Sequence, residues 1–168
     1  AGILDAKQKK DLIHIGSTAV TCGFDFNYRC QLHNNKKVSQ LLFKKISENV
    51  DINFVSFDDV KELFDIKNPY EVFEILNDKK NLILIRYKDS IIFKNKQQEI
   101  KTIKVPHGKV VDTTAAGDAF NGSFLALINN DKNIPIVENI LKSHSVTREV
   151  IKHKGAIISN KNMPNINN

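Results

Sequence analysis

Three short apolar runs constrain this chain more than anything else in it. They are "AVTCGFDF" (residues 19–26), "DINFVSF" (51–57) and "NLILIRY" (81–87). Each is hydrophobic nearly throughout instead of alternating, so each predicts a strand that buries both faces. Between them the pattern turns helical. Val38, Leu41, Leu42 and Ile46 recur at helical spacing and predict a helix over about 36–48. Asp58 or Asp59 is placed to cap a short helix ending at Phe64. Asn68-Pro69 reads as an N-cap and first-position pair, opening a helix with Val72, Phe73 and Leu76 inward. Strand alternating with helix predicts a mostly parallel sheet covered on both faces, with ligands beyond the carboxyl ends of its strands.

The flanks complete the outline. Residues 7–15 read as the end of an amphipathic helix. "KDS" turns the third strand into "IIF", and "EIKTIKV" reads as a further extended piece. Val110-Val111 closes a strand, a helix runs from near Gly117 to about 128, and a last helix spans 136–151. There is no internal repeat and no linker. Residues 1–164 therefore read as part of one domain, followed by a polar tail at 165–168.

Composition excludes several partners. The 168 residues are 41% hydrophobic and 26% charged, ordinary values for a water-soluble fold. No apolar run approaches the ~20 residues of a membrane helix. The charged, amphipathic start predicts a cytoplasmic chain with no signal peptide and no membrane partner. Cys22 and Cys30 match neither a redox pair nor a zinc knuckle, and the five histidines are scattered, so no transition-metal site is expected. The net charge of +6 comes from lysines spread along the chain. Aromatic residues do not interleave with them, so no nucleic-acid partner is expected.

Residues 110–124, "VVDTTAAGDAFNGSF", carry the chemistry. At a strand-to-helix junction the first N–H groups have no partner inside the helix. Ala115, Ala116 and Gly117 leave such groups unshielded, and the helix dipole attracts an anion to them. Asp118 then falls in the first turn. There a carboxylate can take a proton from a hydroxyl while the amides hold a transferring phosphoryl group. One well-placed donor of this kind is worth ~3 kcal/mol of transition-state stabilisation. A purely structural reading fits the same residues: Thr113 or Thr114 caps the helix, the alanines pack closely, and Asp118 complements the dipole. The pattern is not a Walker A loop.

"DTTAAGDAF" (112–120) resembles the D-T-x-G-A-G-D signature of the ribokinase-like (PfkB-type) carbohydrate kinases. Ala115 in place of the first glycine is similar to the 2-keto-3-deoxygluconate kinase branch. "GFDFNYR" (23–29) resembles that branch's D-x-N-Y-R strand end, and "VSFDDVKELF" (55–64) its T-x-x-D-D-E helix start. "HKGAII" (153–158), followed by Met163-Pro164, resembles its C-terminal end. The match is collinear to residue 164 and covers the C-terminal half of such a kinase. The family's N-terminal half, with its G-G-x-x-x-N sugar-binding segment and β-lid, is expected to be absent.

The resemblance implies an α/β fold, a three-layer α/β/α sandwich with a mostly parallel sheet. It implies ATP and Mg²⁺ as cofactors, and phosphorylation of 2-keto-3-deoxygluconate to its 6-phosphate. By similarity Asp118 is the catalytic base, and the backbone of Ala115, Ala116 and Gly117 is the anion hole. Asp25 and Arg29 join Asp118 in binding substrate. Asn27, Arg29, Ser56, Arg86, Thr113, Gly117 and His144 fall at nucleotide-binding positions. Asp59, where the wider family has N-x-x-E, supports Mg²⁺ indirectly. Arg29 has independent support, because a lysine-rich chain keeps a two-handed guanidinium there; a surface ion pair is the other reading. His144 equally suits a partly buried helix histidine.

Two departures stand against full activity. After the third strand the family has a K-x-G-type turn, where this chain has Tyr87, whose Cβ obstructs a close backbone approach. Half of the sugar pocket is missing as well. The expected partners are therefore a second copy or a complementary N-terminal chain. The alternative function is a catalytically inactive, nucleotide-binding remnant of such a kinase.

Overall fold

The structure, a computed structural model, describes residues 10, 21–76, 81–94, 99–131 and 133–164. The helix expected over 7–15 and the tail at 165–168 lie outside the described residues apart from Lys10. The chain divides into two compact units, Ala1–Thr102 and Ile103–Asn168.

In the first unit β1 (Gly23–Asp25), β2 (Ile52–Ser56) and β3 (Leu82–Tyr87) run parallel, and β4 (Ser90–Lys94) returns antiparallel to β3. With β5 (Ile100–Lys104) they form a sheet in the order β1-β2-β3-β4-β5. The runs predicted to be strands buried on both faces behave so in β2 and β3. Ile52 to Val55 and Leu82 to Ile85 are all buried, which requires cover on both sides. β5 is largely exposed, as its lysines dictate. Of the run 19–26, residues 19 and 20 lie outside the described residues, and β1 takes Gly23–Asp25 of the rest.

α1 (Lys36–Ser47) starts where Asn35 Oδ1 accepts the Val38 N–H at 3.1 Å. α2 (Phe57–Phe64) follows β2 without a loop. Its N-cap position is Ser56, so Asp58 and Asp59 lie in the first turn and do not cap it. There they complement the positive end of the dipole. α2 stops at Asp65 in the left-handed region (φ 58), a conformation that Asp tolerates, and the Lys36 ammonium bonds the Asp65 carboxylate. α3 (Glu71–Ile75) begins three residues after Asn68, which is therefore not its N-cap. Asn68 Oδ1 instead accepts the Tyr70 N–H, and Glu71 Oε1 reaches back to the N–H groups of Lys67 and Asn68. The core of this unit is an aromatic and aliphatic cluster that includes Phe26, Phe43, Val55, Leu63, Phe73 and Ile85.

The second unit pairs α4 (Ala116–Asn130) with α5 (Ile136–Val150). Phe120, Phe124 and Leu127 of α4 and Ile140, Val146 and Val150 of α5 are buried. Phe120 and Phe124, one turn apart, stack with centroids at 6.1 Å. Val110 and Val111 do not close a strand. Both are more than half exposed, at 57% and 53%, and the Val111 N–H donates to the Ile151 carbonyl at 2.8 Å. The segment is docked by that bond instead of by a sheet. Among the described residues no helix is long and apolar enough to cross a membrane.

Candidate active site

At the carboxyl end of β1 the chain alternates strictly. Phe26 and Tyr28 are buried, while Asn27 and Arg29 are exposed. Aromatic contacts enforce this. Phe26 and Tyr28 both meet the Phe43 ring, at 5.7 and 5.9 Å, and Tyr28 lies on His33 at 4.8 Å. Asn27 takes a positive φ of 27°, and its Oδ1 accepts from Arg29 Nε at 3.2 Å. The loop thus presents an exposed guanidinium that is held at Nε.

Three strand ends place the remaining charges. Ser56 and Arg86 are register partners at the ends of β2 and β3. Arg86 Nη2 lies 3.7 Å from Asp25 Oδ1, each side chain about a quarter exposed. Asp59, on the first turn of α2, is half-buried. Burial pushes its carboxyl pKa up, Arg29 pulls it back, Asp25 raises it again, and Arg86 opposes. Asp25, Arg29, Asp59 and Arg86 therefore form one electrostatic cluster. Ser56 stands beside them. Two of the chain's three arginines are spent here. Among the described residues no group of three or more His, Cys, Asp or Glu could hold a metal ion by itself. A hard cation at this edge would have to arrive with phosphate oxygens and find Asp59 and Asp25 as supporting carboxylates, the usual arrangement for Mg²⁺.

Tyr87 ends β3 in extended backbone, and its ring packs edge-on against Phe57 with centroids at 5.0 Å. The left-handed conformation that a glycine would suit falls one residue later, at Lys88 (φ 52). Tyr87 and Phe57 line an open pocket of ≈ 330 Å³ whose charged residues are Lys61, Lys67, Arg86 and Lys88 against Asp58. Sequence reasoning named only Arg86 of these cations. The others are invisible to it because Lys61, Lys67 and Lys88 come from three different segments.

In the second unit α4 opens on Ala115, held at φ 61°, ψ 12°. This left-handed turn is where the resembled signature has its first glycine. The Ala116 N–H donates to the Thr113 carbonyl at 3.1 Å, so that donor is closed into the turn and not offered to an anion. The Gly117 and Asp118 N–H groups find no acceptor among the described residues. Of the three residues whose amides the sequence offered to an anion, Ala116 has its N–H engaged and Gly117 does not, and the next amide, that of Asp118, is open as well. Ala115 lies at the edge of these open amides. Thr113 is exposed, and its carbonyl makes the turn.

The Asp118 side chain is exposed, at a groove of ≈ 520 Å³ in this unit. Ala119, Gly122 and Ala126 give the groove a flat helical wall, Val146 and Val150 come from α5, and Ile157 and Met163 from the C-terminal segment. Ser123, also on the wall, donates its Oγ hydrogen back to the Ala119 carbonyl at 2.6 Å, which leaves its oxygen only as an acceptor. His144 does not line this groove. Its Nε2 pairs with the Pro106 carbonyl at 3.0 Å, which assigns the N–H to that nitrogen. Burial holds its pKa below the usual histidine range, against the pull of that carbonyl, with Arg148 and His107 adding to the depression.

The pfkB family of carbohydrate kinases is matched over residues 6–163. A 2-dehydro-3-deoxygluconokinase of Escherichia coli is 31% identical over 147 residues, 84% of this chain and 47% of the relative. Its namesake from Haemophilus influenzae is 33% identical over 139 residues, 80% and 44% of the two chains. The chain spans about half the length of the curated relatives it matches. Among solved structures, an aminoimidazole riboside kinase from Salmonella enterica, in complex with aminoimidazole riboside and an ATP analogue, superposes with a TM-score of 0.77 at 21% identity. It covers 92% of this chain and 54% of its own.

Proposed function

Because this chain belongs to the pfkB family of carbohydrate kinases, we propose that it forms the catalytic half of a kinase that phosphorylates 2-keto-3-deoxygluconate at its 6-hydroxyl with ATP. The two compact units belong, on this reading, to one kinase domain. One observation carries the reading. The N–H groups of Gly117 and Asp118 stand open at the start of a 15-residue helix, with the Asp118 carboxylate exposed on the same turn. Relatives that carry the name 2-dehydro-3-deoxygluconokinase supply the sugar acid.

Each group then has a defined task. Asp118 accepts the proton of the sugar hydroxyl as its oxygen bonds to the γ-phosphorus. The bond from that phosphorus to the leaving ADP oxygen breaks, and the proton stays on Asp118 until product leaves. The Gly117 and Asp118 amides hold the phosphoryl oxygens as charge spreads over them. Mg²⁺, when bound with ATP, neutralises phosphate charge. Asp59, with Asp25, is its support in this chain. Arg29, held by Asn27, takes a carboxylate or phosphate two-handed, and Ser56 and Arg86 take nucleotide phosphate oxygens. The apolar groove takes the uncharged part of the nucleotide. His144, pinned to Pro106, shapes the loop beside it instead of touching adenine. The reaction is cytoplasmic. The sugar pocket is completed by a complementary N-terminal chain or a second copy.

A second reading has its own support. Tyr87, at the position of the family's glycine, fills space against Phe57, and this favours a chain that binds nucleotide without turning it over. One experiment separates the two. The chain is assayed alone and with an N-terminal half supplied in trans, following ADP release with 2-keto-3-deoxygluconate as acceptor. The kinase reading expects turnover that Asp118→Asn reduces by ~10²–10⁴-fold. Turnover indifferent to Asp118→Asn refutes the base assignment. Mg-ATP binding by calorimetry with no turnover in either arm establishes the second reading.

A further inference from the structure

Arg29 is placed by more than its bond to Asn27. It opens a tight turn, Cys30–Leu32, in which its carbonyl accepts the Leu32 N–H at 2.9 Å and the Cys30 carbonyl accepts the His33 N–H at 3.1 Å. His33, which closes the turn, folds back on the strand end. Its ring centroid lies 4.8 Å from that of Tyr28 and 5.6 Å from that of Phe43. Its Nδ1 is 2.8 Å from Oγ of Ser39, a buried residue of α1. His33 has no task in the reading above.

Hydrogens fix the direction of that bond. Ser39 Oγ carries one hydrogen and donates it to the Asn35 carbonyl at 3.1 Å. Its oxygen then accepts from His33, which assigns the ring proton to Nδ1 and leaves Nε2 as an acceptor. An imidazole held in this way cannot turn about its bond to Cβ, so the face it gives Tyr28 is set. Tyr28 in turn enters the core between two exposed residues, Asn27 and Arg29. Displacing its ring rotates the backbone that carries both. Two routes therefore join His33 to Arg29, one through the Tyr28 ring and one through the turn. Both are anchored on α1, whose N-cap Asn35 supplies the carbonyl that orients Ser39.

We propose that His33 is a positioning residue for Arg29: hydrogen-bonded to Ser39 and stacked on Tyr28, it locks the loop over residues 27–33 and holds the guanidinium ready for an oxyanion. This rests on the reading of Arg29 as an anion contact. His33 itself touches no ligand. Its effect is on freedom. A loop already locked has lost the motion that an anion would otherwise have to remove on binding, and that ordering is a direct cost to affinity. A histidine that only fills the core would be replaceable by any ring of its size.

The test uses the full chain labelled for NMR and read at the side-chain Nε–H of Arg29, one of three arginines in the sequence. The chain is titrated separately with inorganic pyrophosphate and with gluconate, a phosphate and a carboxylate probe. His33→Phe keeps a ring over Tyr28 but cannot donate to Ser39. Ser39→Ala removes the acceptor with a residue that favours helix, and serves if the ring variant does not fold. Amide hydrogen exchange at positions 32 and 33 should accelerate at least about fivefold in either variant. The Kd of the anion that moves the Arg29 resonance should rise by about three- to tenfold, the cost of ordering one freed side chain and its turn. The double variant should bind no more weakly than the weaker single one, because both substitutions break the same bond. A merely structural pair would lower Tm and leave the Kd, measured well below Tm, unchanged. Unaltered exchange or an unaltered Kd in a folded variant overturns the lock, and so does a double variant whose losses add in full. If neither anion moves the Arg29 resonance of the unsubstituted chain, Arg29 is no anion contact and the proposal falls with that reading, a failure told from the others because it precedes any substitution.

Discussion

Ala115 offers a measurement of strain at the heart of the site. Its left-handed conformation costs an L-residue about 1–2 kcal/mol, which glycine does not pay. Glycine brings its own penalty, about 0.4–1 kcal/mol, by loosening the unfolded chain. Ala115→Gly should therefore stabilise the protein by about 0.5–1 kcal/mol, a rise in Tm of about 1–4 °C for a chain of this size. Ala115→Val should do the reverse. A β-branched side chain in this region is a genuine outlier, and the loss should be about 1–3 kcal/mol. Urea unfolding followed by far-UV circular dichroism reads both, as midpoint shifts at constant slope. A loss of about 1 kcal/mol in Ala115→Gly, the value for glycine inside an ordinary right-handed helix, would refute the left-handed assignment, and with it the geometry of the open amides.

Three further outcomes follow from burial and charge. Phe124→Ala removes a side chain with no solvent exposure that stacks on Phe120, and should cost about 3–5 kcal/mol, visible as a fall in Tm of about 6–20 °C. His144 has a folded pKa below its unfolded value, so the neutral ring is favoured in the native state. Stability should be full above about pH 6.5 and decline as pH falls through the folded pKa, and His144→Gln should flatten that segment of a urea midpoint-versus-pH curve. Asp59 is shifted the other way. Its folded pKa lies above the unfolded one, so the ionised carboxylate costs stability at neutral pH and the cost vanishes once both states are protonated. Asp59→Asn should raise the urea midpoint at pH 7, with the gain shrinking toward zero in acid, at the expense of Mg-ATP affinity measured by calorimetry.

Much of this could be seen in the linear chain. β2 and β3 were legible because strands buried on both faces must be apolar at every position, a pattern that loops and amphipathic helices do not imitate. The opening of α4 was legible because small residues before an acid are uncommon in a lysine-rich, bulky sequence. Boundaries were harder. Asp58 and Asp59 look like caps, yet β2 runs directly into α2 and leaves Ser56 at the cap position, since the backbone turns where the sheet ends. Val110 and Val111 look like a strand, but a single carbonyl at Ile151 decides that they are not.

The sequence by itself determined which chemistry the chain can offer: an acid after small residues, arginines kept among lysines, and apolar runs that demand cover on both faces. These are properties of residue type and spacing, and they hold before folding. Only the tertiary structure decided which backbone donors stay open. The turn at Thr113 consumes the Ala116 amide and leaves those of Gly117 and Asp118. It also decided that Asp112 joins Gly155 across 43 residues, because hydrogen bonds have direction and reach, and neither is written in the order of the residues.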